Sequence, residues 1–199
     1  GYENTASGAS SVSIGYLTKT SGTRSIAIGR EANSGADGTG QDTIAIGHQA
    51  TTAANTGIAI GKTATTDASA TSAIALGSGA AAGVATSVAI GSGSTTTRAT
   101  DTTSQGWNAQ DSTWTGWLST KGNAGTTSGG VWNSSAGVVS IGTDGFAGTT
   151  VTRKLTGLAA GQYDTDAVNM KQWTNTMLAT AGDFQVSGST HYGSDNTPR

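Results

Sequence analysis

Large aliphatic residues recur in pairs one residue apart: Ile26/Ile28, Ile44/Ile46, Ile58/Ile60, Ile74/Leu76 and Val88/Ile90. Each pair sits in one copy of a five-residue motif. The copies read SVSIG (11–15), SIAIG (25–29), TIAIG (43–47), GIAIG (57–61), AIALG (73–77), SVAIG (87–91) and, after a gap, VVSIG (138–142). The closing glycines of the first six are Gly15, Gly29, Gly47, Gly61, Gly77 and Gly91, at spacings of 14, 18, 14, 16 and 14. Period-two apolar positions rich in β-branched residues predict short strands. The third residue after each glycine is small (Thr18, Ala32, Ala50, Ala64, Ala80, Ser94), and so is the fifth (Thr20, Ser34, Thr52, Thr66, Ala82, Thr96). Extra residues enter only between these small positions and the next copy, in GADGTGQD (35–42) and TDASATS (66–72). Insertions held to one phase mark a loop on one edge of a stacked array.

The residue between each aliphatic pair is Ala27, Ala45, Ala59, Ala75 or Ala89, so both faces of the strand are apolar. A strand buried on both faces needs cover on each side. The second strand of the same coil, with its Ala and Thr/Ser positions, covers one face. A 14-residue coil is too thin to cover the other, so neighbouring chains are expected there. Either face could take the Ile row. With glycine at the sharp bends and coils stacked about 4.8 Å apart, six coils make a rod roughly 30 Å tall. Gly1 lies 14 residues before Gly15, which predicts a chain cut at a repeat seam from something longer.

Composition agrees with a thin repetitive roll. Apolar residues make up 34%, charged residues 11%, and the net charge is −2, with Pro198 the single proline. Disordered chains of low apolar content carry high charge and proline instead. Lysines and arginines are scattered, which gives no footprint for nucleic acid. Cysteine is absent, so disulfides and thiolate metal sites are excluded. No run of about 18 apolar residues could span a bilayer as a helix, and no membrane contact by this fragment is expected.

Between Gly91 and Val138 the repeat fails, and Trp107, Trp114, Trp117 and Trp132 fall within 26 residues. Their large apolar area serves either a local core capping the solenoid or a projecting insertion whose aromatics meet a ligand. The repeat returns at 138–142, and Asp144-Gly145 signals a hairpin. In RKLTGLAAGQYDTDAVNMKQW (153–173), Leu155 and Leu158 lie in an irregular stretch. DTDA then predicts a helix start with Asp164 or Thr165 as N-cap and Asp166 in the first turn, facing the positive end of the helix dipole. Met170, Trp173 and Met177 follow at coiled-coil spacing, and Gly182 stops the helix.

The 14-residue SxAIGxxA repeats followed by RKLTGLAAGQYDTDAVNMKQW resemble the YadA-like head and neck of trimeric autotransporter adhesins. The resemblance implies an all-β fold: a trimeric left-handed parallel β-roll, then a neck and a short coiled-coil helix. The implied layout is head repeats over 1–94, a Trp-rich insertion or cap over 95–137, and a final repeat with hairpin over 138–152. Neck and coiled coil follow over 153–181, and the start of a further head-type module over 182–199. It further implies a homotrimer on the bacterial cell surface, anchored in the outer membrane by a C-terminal region absent from this fragment. The head would bind a host extracellular-matrix or cell-surface protein or glycan. Ile28, Ile46, Ile60, Leu76 and Ile90 would serve the trimer, and Leu155, Leu158, Asp164, Asp166, Met170, Trp173 and Met177 the neck. The 18- and 16-residue coils and the bulk of Met170 and Trp173 depart from the pattern and leave local register open.

Nothing points to catalysis, and neither cofactor nor metal is expected. His48 and His191 read as loop residues. DGTGQD (37–42) lacks the ligand spacing and closing glutamate of a calcium loop. GSGAAAG (77–83) has the wrong spacing for a dinucleotide site. Adhesive contact is expected from the Trp segment and from carboxylates assigned to the inserted loops: Glu31, Asp37, Asp42 and Asp67. The alternatives are an ice-binding solenoid, which needs two threonine rows in phase, and a β-helix acyltransferase, which follows a six-residue period and places a catalytic histidine.

Overall fold

A computed structural model describes residues 1–36, 38, 40–98, 136–143, 151–163 and 166–180. The chain divides into two compact units, Gly1–Arg153 and Lys154–Arg199. The Trp segment, Asp37, the Asp144-Gly145 hairpin, Asp164 and the tail after Gly182 lie outside the described residues.

The first unit is a parallel β-solenoid of about six turns. In chain order its strands are β1 (Thr5–Ala6), β2 (Val12–Ile14), β3 (Lys19–Thr20), β4 (Ile26–Ile28), β5 (Asn33–Ser34), β6 (Ile44–Ile46) and β7 (Thr51–Thr52). They continue as β8 (Ile58–Ile60), β9 (Thr65–Thr66), β10 (Ile74–Leu76), β11 (Ala81–Ala82), β12 (Val88–Ile90), β13 (Thr95–Thr96) and β14 (Val139–Ser140). The odd-numbered strands form one seven-stranded sheet and the even-numbered strands the other. Equivalent residues pair across the longer coils without a slip: Ile28 opposes Ile46 across 18 residues and Ile60 opposes Leu76 across 16. The extra residues are taken up in one turn, by bonds such as Gly38 N–H to Gly35 O (2.8 Å) and Ala70 N–H to Asp67 O (3.0 Å).

The structure settles which row faces in. Ala27, Ala45, Ala59, Ala75 and Ala89 are fully buried between the sheets, and the flanking aliphatics point outward. The opposing sheet meets the alanines with its third and fifth positions, so the largest fully buried side chains are threonines and serines. With only small residues inside, the sheets lie too close together for anything larger. The energetic consequence is direct. An alanine methyl contributes under about 1 kcal/mol on burial, whereas a fully buried isoleucine contributes about 1.5–3 kcal/mol. Most of the aliphatic surface of each coil is therefore on its outside.

Part of the core is hydroxyl. Thr43 Oγ1 donates to Ser25 Oγ (3.0 Å) and pairs with Ser34 Oγ (2.7 Å), and Thr52 Oγ1 donates to Ser34 Oγ (3.4 Å). Ser87 and Thr96 repeat the pairing at 2.7 Å. Between these coils Gly57, Ala73 and Ala82 replace the hydroxyl partners, and Thr66 Oγ1 is buried without one. An alanine cluster from Ala59 to Ala89 fills that stretch.

The turns use more than glycine. Gly29, Gly47, Gly61 and Gly77 adopt φ between 133° and 137°, and an added Cβ would strike the backbone of the next coil's glycine. Yet eleven described non-glycine residues also have positive φ, among them Leu17, Glu31, Gln49 and Thr63 at one corner and Arg24, Asp42, Thr56, Ser72 and Thr86 at the other. Each such left-handed residue costs on the order of 1–2 kcal/mol. The N–H of each of these nine bonds a carbonyl of the preceding coil, as Glu31 does to Tyr16 O at 2.8 Å, which offsets that cost.

In the second unit the helix α1 is Met170–Thr180. This corrects the expected start at Asp164 or Thr165. Asn169 is the N-cap: its Oδ1 accepts the Gln172 N–H (2.9 Å), and Gln172 Oε1 accepts the Asn169 N–H (3.2 Å), a reciprocal capping box. Gln172 also pairs its amide with both backbone groups of Gly161 (3.0 and 2.9 Å). Asp166 lies before the helix and outside its first turn. Its carboxylate accepts the N–H groups of Gln162 (2.8 Å) and Tyr163 (3.0 Å), which hold it below the usual carboxylate range.

Candidate functional site

Three surfaces of the solenoid can meet other molecules: the corner after each IxIG strand, the opposite corner where the insertions fall, and the outer face of the even-numbered strands.

At the first corner equivalent residues stack in columns. The Tyr2 and Tyr16 rings lie parallel with centroids 5.3 Å apart, and the Arg30 guanidinium stands 5.9 Å over the Tyr16 ring. Glu31 belongs to this corner, which corrects its grouping with the inserted loops. It pairs with Arg30 at 3.0 Å, accepts Gln49 Nε2 at 2.8 Å and lies 4.0 Å from His48 Nε2. The hydrogen bond from Gln49, helped by Arg30 and His48, holds its carboxyl below the usual range. His48 is half-buried beside this carboxylate.

Asp42 and Asp67 occupy the second corner. Asp42 binds the Arg24 guanidinium through both oxygens at 2.7 Å, which lowers its pKa and raises that of Arg24. Glu31 and Asp42 are therefore already engaged within the chain, while Asp67 is exposed. Among the described residues no cluster of three or more metal-ligating side chains occurs.

The third surface is aliphatic. In the single chain Ile28, Ile46 and Ile60 are half-buried on the outer face, and Leu76 (43%), Ile90 (41%) and Ile14 (56%) are exposed. They form one continuous ribbon, because the strands stack in register. In the second unit Leu155, Leu158, Met170 and Trp173 are also exposed, and Met177 shares α1 with the last two. The hydroxyl rows disfavour the ice-binding alternative: the Thr/Ser-rich fifth row is buried inside the roll, and the outward row of the odd sheet, Lys19, Asn33, Thr51, Thr65, Ala81 and Thr95, is interrupted. Sequence reasoning missed Arg153 and the Asn169–Gln172 pair; the N-x-x-Q spacing of a capping box was the available signal for the latter.

Residues 6–32 and 39–64 match the YadA head domain repeat, in two copies. The chain is also similar to the crystal structure of the collagen-binding domain of the Yersinia adhesin YadA, at 28% identity over 85% of this chain and 76% of that one, with a TM-score of 0.49. No curated protein matches the chain. Among the described residues no helix is long and apolar enough to cross a membrane. The two repeat matches fall on the stacked coils of the first unit, which over residues 6–32 and 39–64 is similar to the YadA head domain repeat.

Proposed function

We propose that the chain is the adhesive head of a bacterial surface fibre that works as a homotrimer, binds a host matrix or cell-surface protein or glycan, and carries out no catalysis. The observation that carries this reading is the pairing of YadA head repeats with an outward aliphatic ribbon. A contiguous exposed apolar ribbon of this kind marks an interaction surface. Three copies packed through it dry the isoleucines and hold three identical corners around one axis. Weak sites then act together, and the gain comes from effective concentration rather than from any single strong contact. An anchor in the outer membrane, from a region outside this chain, would hold the fibre on the cell. Neck packing of Leu155, Leu158, Met170, Trp173 and Met177 between copies belongs to the same reading.

The test is binding of the whole chain to immobilised matrix proteins and to host cells, with collagen, named for the Yersinia domain, first among the probes. Saturable binding that is lost when the trimer is dissociated is expected. Absence of binding across the panel would overturn the adhesive reading. Repeating the assay with residues 99–134 excised separates a capping role of the Trp segment from a binding role.

A further inference from the structure

We propose that Arg153 is the end cap of the roll, its guanidinium replacing the corner that the last coil lacks. In successive coils one donor ladder runs up the first corner: Leu17 N–H to Tyr2 O, Glu31 to Tyr16, Gln49 to Arg30, Thr63 to His48, Gly79 to Lys62 and Gly93 to Ser78, all at 2.8–3.0 Å. The next acceptor is Ser92 O. Among the described residues no coil backbone reaches it, because the last coil cuts the corner. Ser140 opposes Ala89 and Thr143 opposes Thr95, so three residues cover what six cover in the coil before. Among the described residues no backbone stands above the corner Gly91-Ser92-Gly93.

Arg153 fills that place. Its Nη2 donates to Ser92 O, and its Nη1 donates to Ile141 O and to Ser94 Oγ, the last at 3.0 Å. A Cβ added at Gly91 would meet Arg153 Cζ at 2.7 Å, whereas at each earlier corner glycine it would meet the next glycine's backbone. Val151 completes the cover: its carbonyl accepts Thr143 N–H (2.9 Å), and its Cγ2 lies 3.5 Å from a Cβ built on Gly93. Terminal repeats need such caps, since an open end is an unpaired edge that invites further strands. A planar fork with several donors can serve three acceptors at once; an ammonium on a flexible stem holds no such fixed geometry. Arg153 is a positioning residue for the last coil, and the proposal holds whatever ligand the head takes.

Hydrogen exchange of individual amides tests it on the whole chain. In Arg153→Ala the amides of Thr95 and Thr143, bonded to Gly142 O and Val151 O, are expected to exchange at least tenfold faster, with Ile44 and Ile58 unchanged. Arg153→Lys, the milder variant should the alanine chain fail to fold, is expected to fall in between. Exchange at Thr95 and Thr143 within twofold of wild type in either variant overturns the cap. Equal acceleration in every coil overturns it as well, because it would mark general destabilisation.

Discussion

The inner and outer rows of the even-numbered strands are one residue apart and obey opposite rules. Inside, every position from Ala27 to Ala89 is as small as the gap between the sheets allows. Outside, the neighbouring positions are as large and β-branched as a strand accepts, and they lie half-buried or exposed in the single chain. Shape limits the inner row and gives it little hydrophobic energy; the outer row holds the energy without a shape to fit until another surface arrives. A roll of this thinness holds its register from within, through close packing and backbone ladders, and in the proposed trimer it would draw its stability from the outside.

The sharpest break in this contrast is to enlarge the inner row. Ala59→Leu has no space between the sheets and is expected to cost about 3 kcal/mol, the upper end of overpacking, read as a fall in the thermal midpoint by circular dichroism. Ile60→Leu, on the outer side of the same strand, is expected to shift that midpoint far less. Next in size, Ile46→Asp puts a charge on the ribbon and removes an isoleucine whose burial contributes about 1.5–3 kcal/mol. Light scattering is expected to show smaller assemblies, and unchanged mass would detach the ribbon from assembly.

A smaller effect separates two kinds of inner residue. Thr43→Val removes a hydroxyl that serves Ser25 and Ser34 and is expected to cost about 1–3 kcal/mol. Thr66→Val removes a buried hydroxyl that has no partner and is expected to be neutral or stabilising, by chemical denaturation. The smallest effect lies at the second corner. Asp42 is held below its usual range by Arg24, so what the pair contributes is present above the unfolded carboxylate pKa. It is lost as pH falls through the lower folded value. Both side chains are exposed, so the loss is slight and screened by salt. In Arg24→Ala the NMR titration of Asp42 is expected to return to the ordinary carboxylate range; an unmoved titration would remove the pair from the account.

Most of the roll was legible because a repeat states its own register: the glycine phase placed the strands, the corners and the edge that takes insertions. The orientation of the strand was not, since Ala27 and Ile28 are both apolar and period two serves either face. The clue was one step removed. The third and fifth positions are all small, so the opposing strand leaves space only for alanine. Glu31 was grouped with the inserted loops by its charge, although its place after Gly29 puts it at the other corner. The helix start was read from DTDA, with Asp164 or Thr165 as N-cap and Asp166 in the first turn; the Asp166 carboxylate instead serves Gln162 and Tyr163, while the cap at Asn169 went unread. Arg153 was beyond reach, because its partners at Ser92 and Ser94 lie about sixty residues away and only the shortened last coil brings them to it.

Sedimentation equilibrium of the unmodified chain at micromolar concentration tests the outer row most directly. The mass of three chains is expected, falling to one only together with loss of structure or with a charge placed on the ribbon. A folded single chain, stable with its isoleucines in water, would contradict it.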